Sequence, residues 1–202
     1  MNISAKLVRL SLAATTAVLL SAPFASAATI DFTGLSGSNG DSFTTFTESG
    51  FKVTSTVGDF DKAISAPGFI GDPLPSIYQT TSFGTVTVTK IGGGIFDFTS
   101  VDLANFTRDR YDYLIVGFLG ATQKFSTSGS IAGPARTFHT YGTGFSADDI
   151  NSLTISLDGE EGSANIDNIV LKASATPEPS SLLLLATGLT GLGSFARRRF
   201  AQ

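Results

Sequence analysis

The residues able to do chemistry in this chain are one histidine, His139, no cysteine and 17 acidic side chains. A lone imidazole cannot form the His pair of an HExxH zinc site. Without a thiol, Cys-ligated zinc and thiol nucleophiles are excluded as well. A Ser–His–Asp triad can be written on paper. The alternating run Arg136–Tyr141, however, makes His139 a strand side chain on the face opposite Phe138, not a general base. A glycosidase needs two carboxylates flanking a cleft, and no spacing singles out such a pair. Asp148-Asp149 and Asp158, Glu160, Glu161 read as solvated loops. Sugar recognition stacks a ring on an exposed aromatic face. Tryptophan is absent, which leaves Tyr78, Tyr111, Tyr113 and Tyr141. Tyr111 and Tyr113 share a face at i, i+2. Tyr113 reads as core, whereas Tyr111, beside Arg108, Asp109, Arg110 and Asp112, reads as a loop residue able to touch a glycan. The inventory favours binding over catalysis.

The elements that would position these residues are strands. Thr, Ser, Gly, Phe, Val and Ile dominate, and no amphipathic helix pattern stands out. β-Branched and aromatic content predicts strands at Thr29–Thr33, Phe51–Val57, Thr85–Lys90, Ile95–Ala104, Tyr113–Leu119, Gln123–Thr127, Arg136–Tyr141, Ser152–Leu157 and Ala164–Lys172. Phe96 and Phe98 share one phase and Val101 and Leu103 the other, which predicts a bulge at Thr99-Ser100. Tyr113–Leu119 is apolar on both faces and is expected inside a sheet. Turns fall at Gly92-Gly93-Gly94, Gly129, Gly133-Pro134 and Asp158-Gly159. Short strands spaced about ten residues apart predict an all-β fold, a single antiparallel β-sandwich of jelly-roll type. Gly58–Ser82 holds Pro67, Pro73 and Pro75 and has little periodicity. Its Phe60, Phe69, Ile70, Leu74, Ile77 and Tyr78 predict a packed flap.

Both ends look like addresses. Met1–Ala27 has Lys6 and Arg9, an apolar stretch Leu10–Leu20 and Ala25-Ser26-Ala27, the anatomy of a signal peptide cleaved after Ala27. At the other end Pro177-Glu178-Pro179 precedes Ser180–Ala196, which carries no charge, and then Arg197, Arg198 and Arg199. That run would span about 25 Å as a helix at about 1.5 Å per residue, short for a bilayer. Gly188, Gly191 and Gly193 weaken it further. The arginines form a membrane stop with a cytoplasmic C-terminus. Pro177 and Pro179 keep the preceding segment extended, as a protease requires. The expected organisation is a signal peptide at 1–27, a β-sandwich at 28–175 and a tail at 176–202 with a transmembrane helix near 180–196. Without the two ends, 8 basic residues face 16 acidic ones. Such a surface argues against nucleic acid, which needs a basic footprint.

The order of triplet, Ser180-Ser181, Leu182–Leu185, Gly-rich second half and Arg197–Arg199 resembles the PEP-CTERM sorting signal of Gram-negative bacteria. The resemblance implies recognition by an exosortase, a membrane-embedded cysteine protease/transpeptidase, and cleavage near Pro177–Pro179. It further implies Sec export, transient residence in the inner membrane, a final place at the cell surface or in the extracellular matrix, and association with exopolysaccharide and biofilm. Gly94–Leu103 has the look of a core strand in exported domains that carry this tail. Ile166–Leu171 is similar to the final strand of galactose-binding-like jelly rolls, which include many carbohydrate-binding modules. There a carboxylate from the first strand and one from the last can bind calcium through oxygen ligands. Carried over, that selects Asp31 and Asp167 as metal ligands. The leading expectation is a non-enzymatic envelope or matrix protein whose partner is polysaccharide or another matrix protein. A carbohydrate-binding module with a structural calcium is the alternative.

Overall fold

The computed structural model describes residues 27–107, 110–131, 133–159 and 164–173. The sorting triplet, the apolar run, Arg197–Arg199 and all of the expected signal peptide but Ala27 lie outside these residues. Within them the chain forms strands: β1 (Ala27–Ile30), β2 (Ser42–Phe43), β3 (Thr45–Glu48), β4 (Phe51–Val57), β5 (Phe60–Ala63), β6 (Ser76–Gln79), β7 (Phe83–Lys90), β8 (Phe96–Asn105), β9 (Tyr111–Leu119), β10 (Thr122–Ser130), β11 (His139–Ile150), β12 (Ser152–Gly159) and β13 (Ala164–Ala173). They make two antiparallel sheets, ordered β11-β8-β13-β6-β5-β2 and β10-β9-β12-β7-β4-β3. β1 joins the first sheet by pairing with β13, Ile30 opposite Ile169. The architecture is a jelly-roll-like β-sandwich.

Period-two patterning decides which residues meet between the sheets. Val86 and Val88 of β7 point inward while Thr87 and Thr89 stay partly exposed, and Leu153, Ile155 and Leu157 do the same on β12. From the opposite sheet come Phe96, Phe98, Val101 and Leu103 of β8 and Ile166, Ile169 and Leu171 of β13, all buried. Ring contacts cross the gap. Phe51 meets Phe96 edge-on at 5.2 Å, and Phe98 stacks on Phe125 at 6.0 Å. Burying a side chain of this size contributes about 1.5–3 kcal/mol. The phase change at Thr99 is a true irregularity. Phe98 pairs with Leu171 and Ser100 with Val170, so Thr99 has no partner on β13.

The sequence missed β2, β3, β5 and β6, each of two to four residues, too short for alternation to be read. β5 and β6 break the expected 25-residue connection into strand, loop and strand. Phe60, Ala63 and Ile77 supply core contacts, so the covering loop proper is residues 64–75. Three proline peptide bonds in it, those of Pro67, Pro73 and Pro75, are cis.

Candidate functional site

The 64–75 loop lies over the outer face of the seven-stranded sheet, and the strand register shows what it covers. Directly opposed residues share a face. Asp61 pairs with Tyr78, Tyr78 with Asn165, and Asn165 with Ala104, forming one row. Asp167 pairs with Asp102 and Asp102 with Thr140, forming the next. The intervening Ile77, Ile166 and Leu103 point into the core, so both rows face away from it.

Backbone groups of the loop find partners in these rows. The Asp72 N–H donates to Asp167 Oδ2 (2.7 Å), and Asn168 Nδ2 donates to the Asp72 carbonyl (2.7 Å). The Ile70 carbonyl accepts from Ser76 Oγ (2.6 Å) and Asn165 Nδ2 (3.3 Å). At the start of the loop, Asn39 Oδ1 accepts from the amides of Ile64 (2.7 Å) and Ser65 (3.0 Å). Phe69 packs on Tyr78 at 5.6 Å between ring centroids.

Asp167 is fully buried by this cover. Burial pushes its carboxyl up to about 7. The backbone donors Asp72 and Asn168 pull the other way, and the neighbouring Asp72 and Asp102 charges add to the rise. Asp102 is held by Thr140 Oγ1 (2.6 Å) and Asn168 Nδ2 (3.0 Å).

Beside this polar row is a cavity of about 180 Å³ lined by Gly68, Phe69, Ile70, Tyr78, Phe106 and Asn165. Three aromatic rings form its walls, and Arg136 sits 4.2 Å from the centroid of Phe106. Tyr78 bonds to Asp61, and burial raises the pKa of both groups. Asn165 Oδ1 is buried without a hydrogen-bond partner.

The residues expected from the sequence fall elsewhere. Tyr111 is not a surface residue: it is fully buried, which corrects its reading as a glycan contact. It pairs with Gly159 across the sheet, and a Cβ on that glycine would come within 2.5 Å of the Tyr111 ring. The ring occupies the space left by the missing side chain. Tyr113 is half-buried against Tyr141 at 4.6 Å.

Asp31 and Asp167 are not joined in one ligand set, although β1 and β13 do pair. Asp31 Oδ1 accepts from the Thr33 amide (3.0 Å) and hydroxyl, and these bonds lower its pKa. Its carboxylate neighbour is Glu48, whose Oε2 accepts from the amides of Asp31 and Phe32, both at 2.9 Å. Both Asp167 oxygens are taken by backbone N–H donors, Oδ2 by Asp72 and Oδ1 by Asn168. A shared calcium does not fit this donor set. Among the described residues no cluster of three or more His, Asp or Glu side chains is arranged to hold a metal ion. His139 opens β11 opposite Leu103, half-buried.

The sequence pointed to neither Asn165, Phe69 nor Phe106 as a site residue. The available signal was an amide in a strand otherwise rich in apolar residues, 95 positions from its loop partner Ile70.

Residues 175–199 match the model of the PEP-CTERM protein-sorting motif. No curated protein matches the chain. Among solved structures, a DUF4465 family protein from Bacteroides caccae superposes with a TM-score of 0.51 at 11% identity, covering 72% of this chain and 98% of its own. A family 29 carbohydrate-binding module from Piromyces equi gives 0.41 at 13% identity, covering 77% and 95%. A family 61 carbohydrate-binding module in complex with β-1,4-galactotriose gives 0.40 at 12%, covering 60% and 86%. These likenesses concern the fold alone. The motif marks an exported protein that transits the membrane and is processed by an exosortase. The chain therefore carries a PEP-CTERM sorting motif behind a jelly-roll-like β-sandwich.

Proposed function

We propose that this chain is a non-enzymatic protein of the cell envelope or extracellular matrix, freed from its tail by an exosortase, whose sandwich holds polysaccharide. The observation that carries the reading is the sorting motif at 175–199, which spans Pro177-Glu178-Pro179 and Arg197–Arg199. In this reading the mature domain runs over residues 28–175. The non-enzymatic part is supported by the state of the best carboxylate cluster. Asp167 and Asp102 spend their oxygens on the protein's own amides and hydroxyls, so neither is poised beside a substrate as a general acid or base. The polysaccharide part is supported by the aromatic, amide-lined cavity on an outer sheet face. Separate engagement of Asp31 and Asp167 weighs against the calcium-binding module as the alternative.

The test is processing in cells. Replacing Pro177-Glu178-Pro179 by alanines should leave a full-length, membrane-retained form, while the parent chain appears outside the inner membrane without its tail. Identical masses and fractionation for the two would defeat the sorting role of the triplet.

A further inference from the structure

We propose that one end of the sandwich docks on an anionic lipid bilayer while the tail is still attached. This rests on the sorting half of the function proposed above and is independent of the polysaccharide half. Strand register identifies the end. β13 finishes there, with Lys172 opposite Asp97 and Ala173 opposite Phe96, and β1 begins there, with Ala27 opposite Lys172. Both uncharged runs of the sequence, Leu10–Leu20 and Ser180–Ala196, therefore join the sandwich at this end. Only residues 174–179 lie between β13 and the second run. At about 3.3–3.6 Å per residue that stretch reaches about 20 Å when fully extended. A tail in the membrane keeps this end within that distance of the lipid.

The loop tips at this end suit a bilayer. β7 passes to β8 through residues 91–95, and β9 passes to β10 through Gly120-Ala121. Ile91, 55% exposed, and Leu119 are large apolar side chains left in solvent. A Cβ at Gly92, Gly93 or Gly120 would meet no atom within 4 Å, so both tips project clear of the fold. Their bases are pinned. The Ile91 N–H donates to the Gly50 carbonyl (2.9 Å), the Asn151 N–H to the Phe118 carbonyl (2.8 Å) and the Gly120 N–H to Asn151 Oδ1 (3.0 Å). Four of the five lysines in residues 28–175 lie at this end: Lys52, Lys90, Lys124 and Lys172. Glu48, Asp97, Asp148 and Asp149 share it. Glu48 accepts from the Asp31 and Phe32 amides, and Asp97 from the Asp149 amide (3.1 Å). Elsewhere in 28–175 four basic residues face twelve acidic ones. The exposed apolar side chains at the opposite end have acidic company: Phe83 stands opposite Asp158, and Asp59 follows Val57 by two residues. Anionic headgroups repel that end more than this one. Two apolar tips on separate loops do not make the contiguous area of about 1,000 Å² that a protein interface needs. A bilayer takes separate tips, with lysine amines held among the headgroups.

The chain has no tryptophan, so a single introduced one reports its own surroundings. The chain is expressed in a host without an exosortase, purified with its tail attached and reconstituted into vesicles of phosphatidylethanolamine and phosphatidylglycerol that contain brominated phosphatidylcholine. Ile91→Trp and Leu119→Trp should each lose at least about half of their fluorescence to the bromines. Phe83→Trp, at the opposite end, should keep its own. Lys52 and Lys124 are both exposed. Adding Lys52→Glu and Lys124→Glu to the Ile91→Trp chain should restore at least about half of the quenched signal. Equal quenching at positions 83, 91 and 119, or none at 91 and 119, in chains that float with the vesicles overturns the docking surface and leaves the sorting reading intact. Unquenched tips that photo-crosslink to a membrane protein in the producing cells assign this end to a protein and overturn the lipid. Quenching unchanged by charge reversal overturns the part given to the lysines. A chain that does not float with the vesicles removes both the docking surface and the membrane tail.

Discussion

Asp167 ties the 64–75 loop to the sheet through a carboxyl whose pKa is raised to about 7 from the ordinary aspartate value of 3.8. The folded state therefore holds a proton that the unfolded chain has released over that interval. Stability contributed by this group is full below about pH 4 and is lost as pH rises through about 7. A difference of about 3 units at 1.36 kcal/mol each sets its size at about 4 kcal/mol. The cause is visible: ionisation places a charge on a fully buried side chain beside Asp72 and Asp102. Glu48 and Asp61 are also raised by burial and act in the same direction. Asp31 and Asp112, lowered by hydrogen bonds to Thr33 and Ser130, act in the opposite one. Asp167→Asn isolates the group. The amide cannot accept from both the Asp72 and Asn168 amides and loses about 1 kcal/mol, but it does not titrate. Urea unfolding of the exported form, followed by circular dichroism from about pH 4 to about pH 8, gives the stability curve of each protein. The parent should lose about 4 kcal/mol more than the variant across this range. Parallel curves, or a parent that gains stability relative to the variant as pH rises, would refute the assignment.

Three further outcomes follow from the packing. Tyr111→Ala should cost about 3–5 kcal/mol, by analogy with other large aromatic truncations, read as a lowered urea midpoint; unchanged stability would contradict its burial. Gly117→Ala places a Cβ 2.1 Å from the Phe125 ring and should cost about 1–3 kcal/mol, with Phe125→Leu in the same chain recovering part of the loss. Chelator should leave the melting temperature unchanged, because Asp31 and Asp167 serve separate hydrogen bonds. A drop that Asp167→Ala abolishes would restore the calcium site.

Local chemistry was legible in the sequence wherever one strand decides alone. Val86 and Val88 alternate with threonines on β7, and the phase change at Thr99 in β8 marks an unpaired residue. Those features depend on period-two geometry within a single segment. Strands of two to four residues were not legible, since a run shorter than two alternations carries no period. β5 and β6 were therefore read as part of one long connection, even though their apolar residues had already indicated a packed segment.

The two ends and the strand-rich character of the middle are written into residue order: the small-residue site at Ala25–Ala27, the triplet and the terminal arginines, and the alternation of apolar with hydroxyl side chains. Tertiary structure alone decided which side chains share a row. Tyr111 sits among charged neighbours in sequence, yet it is buried because Gly159 lies opposite and leaves room for its ring. Asn165 meets Tyr78 and Ile70 because register and loop closure bring together positions about ninety residues apart. Side-chain alternation travels along a strand, but the neighbour across it is chosen by pairing, and pairing is a property of the whole sheet.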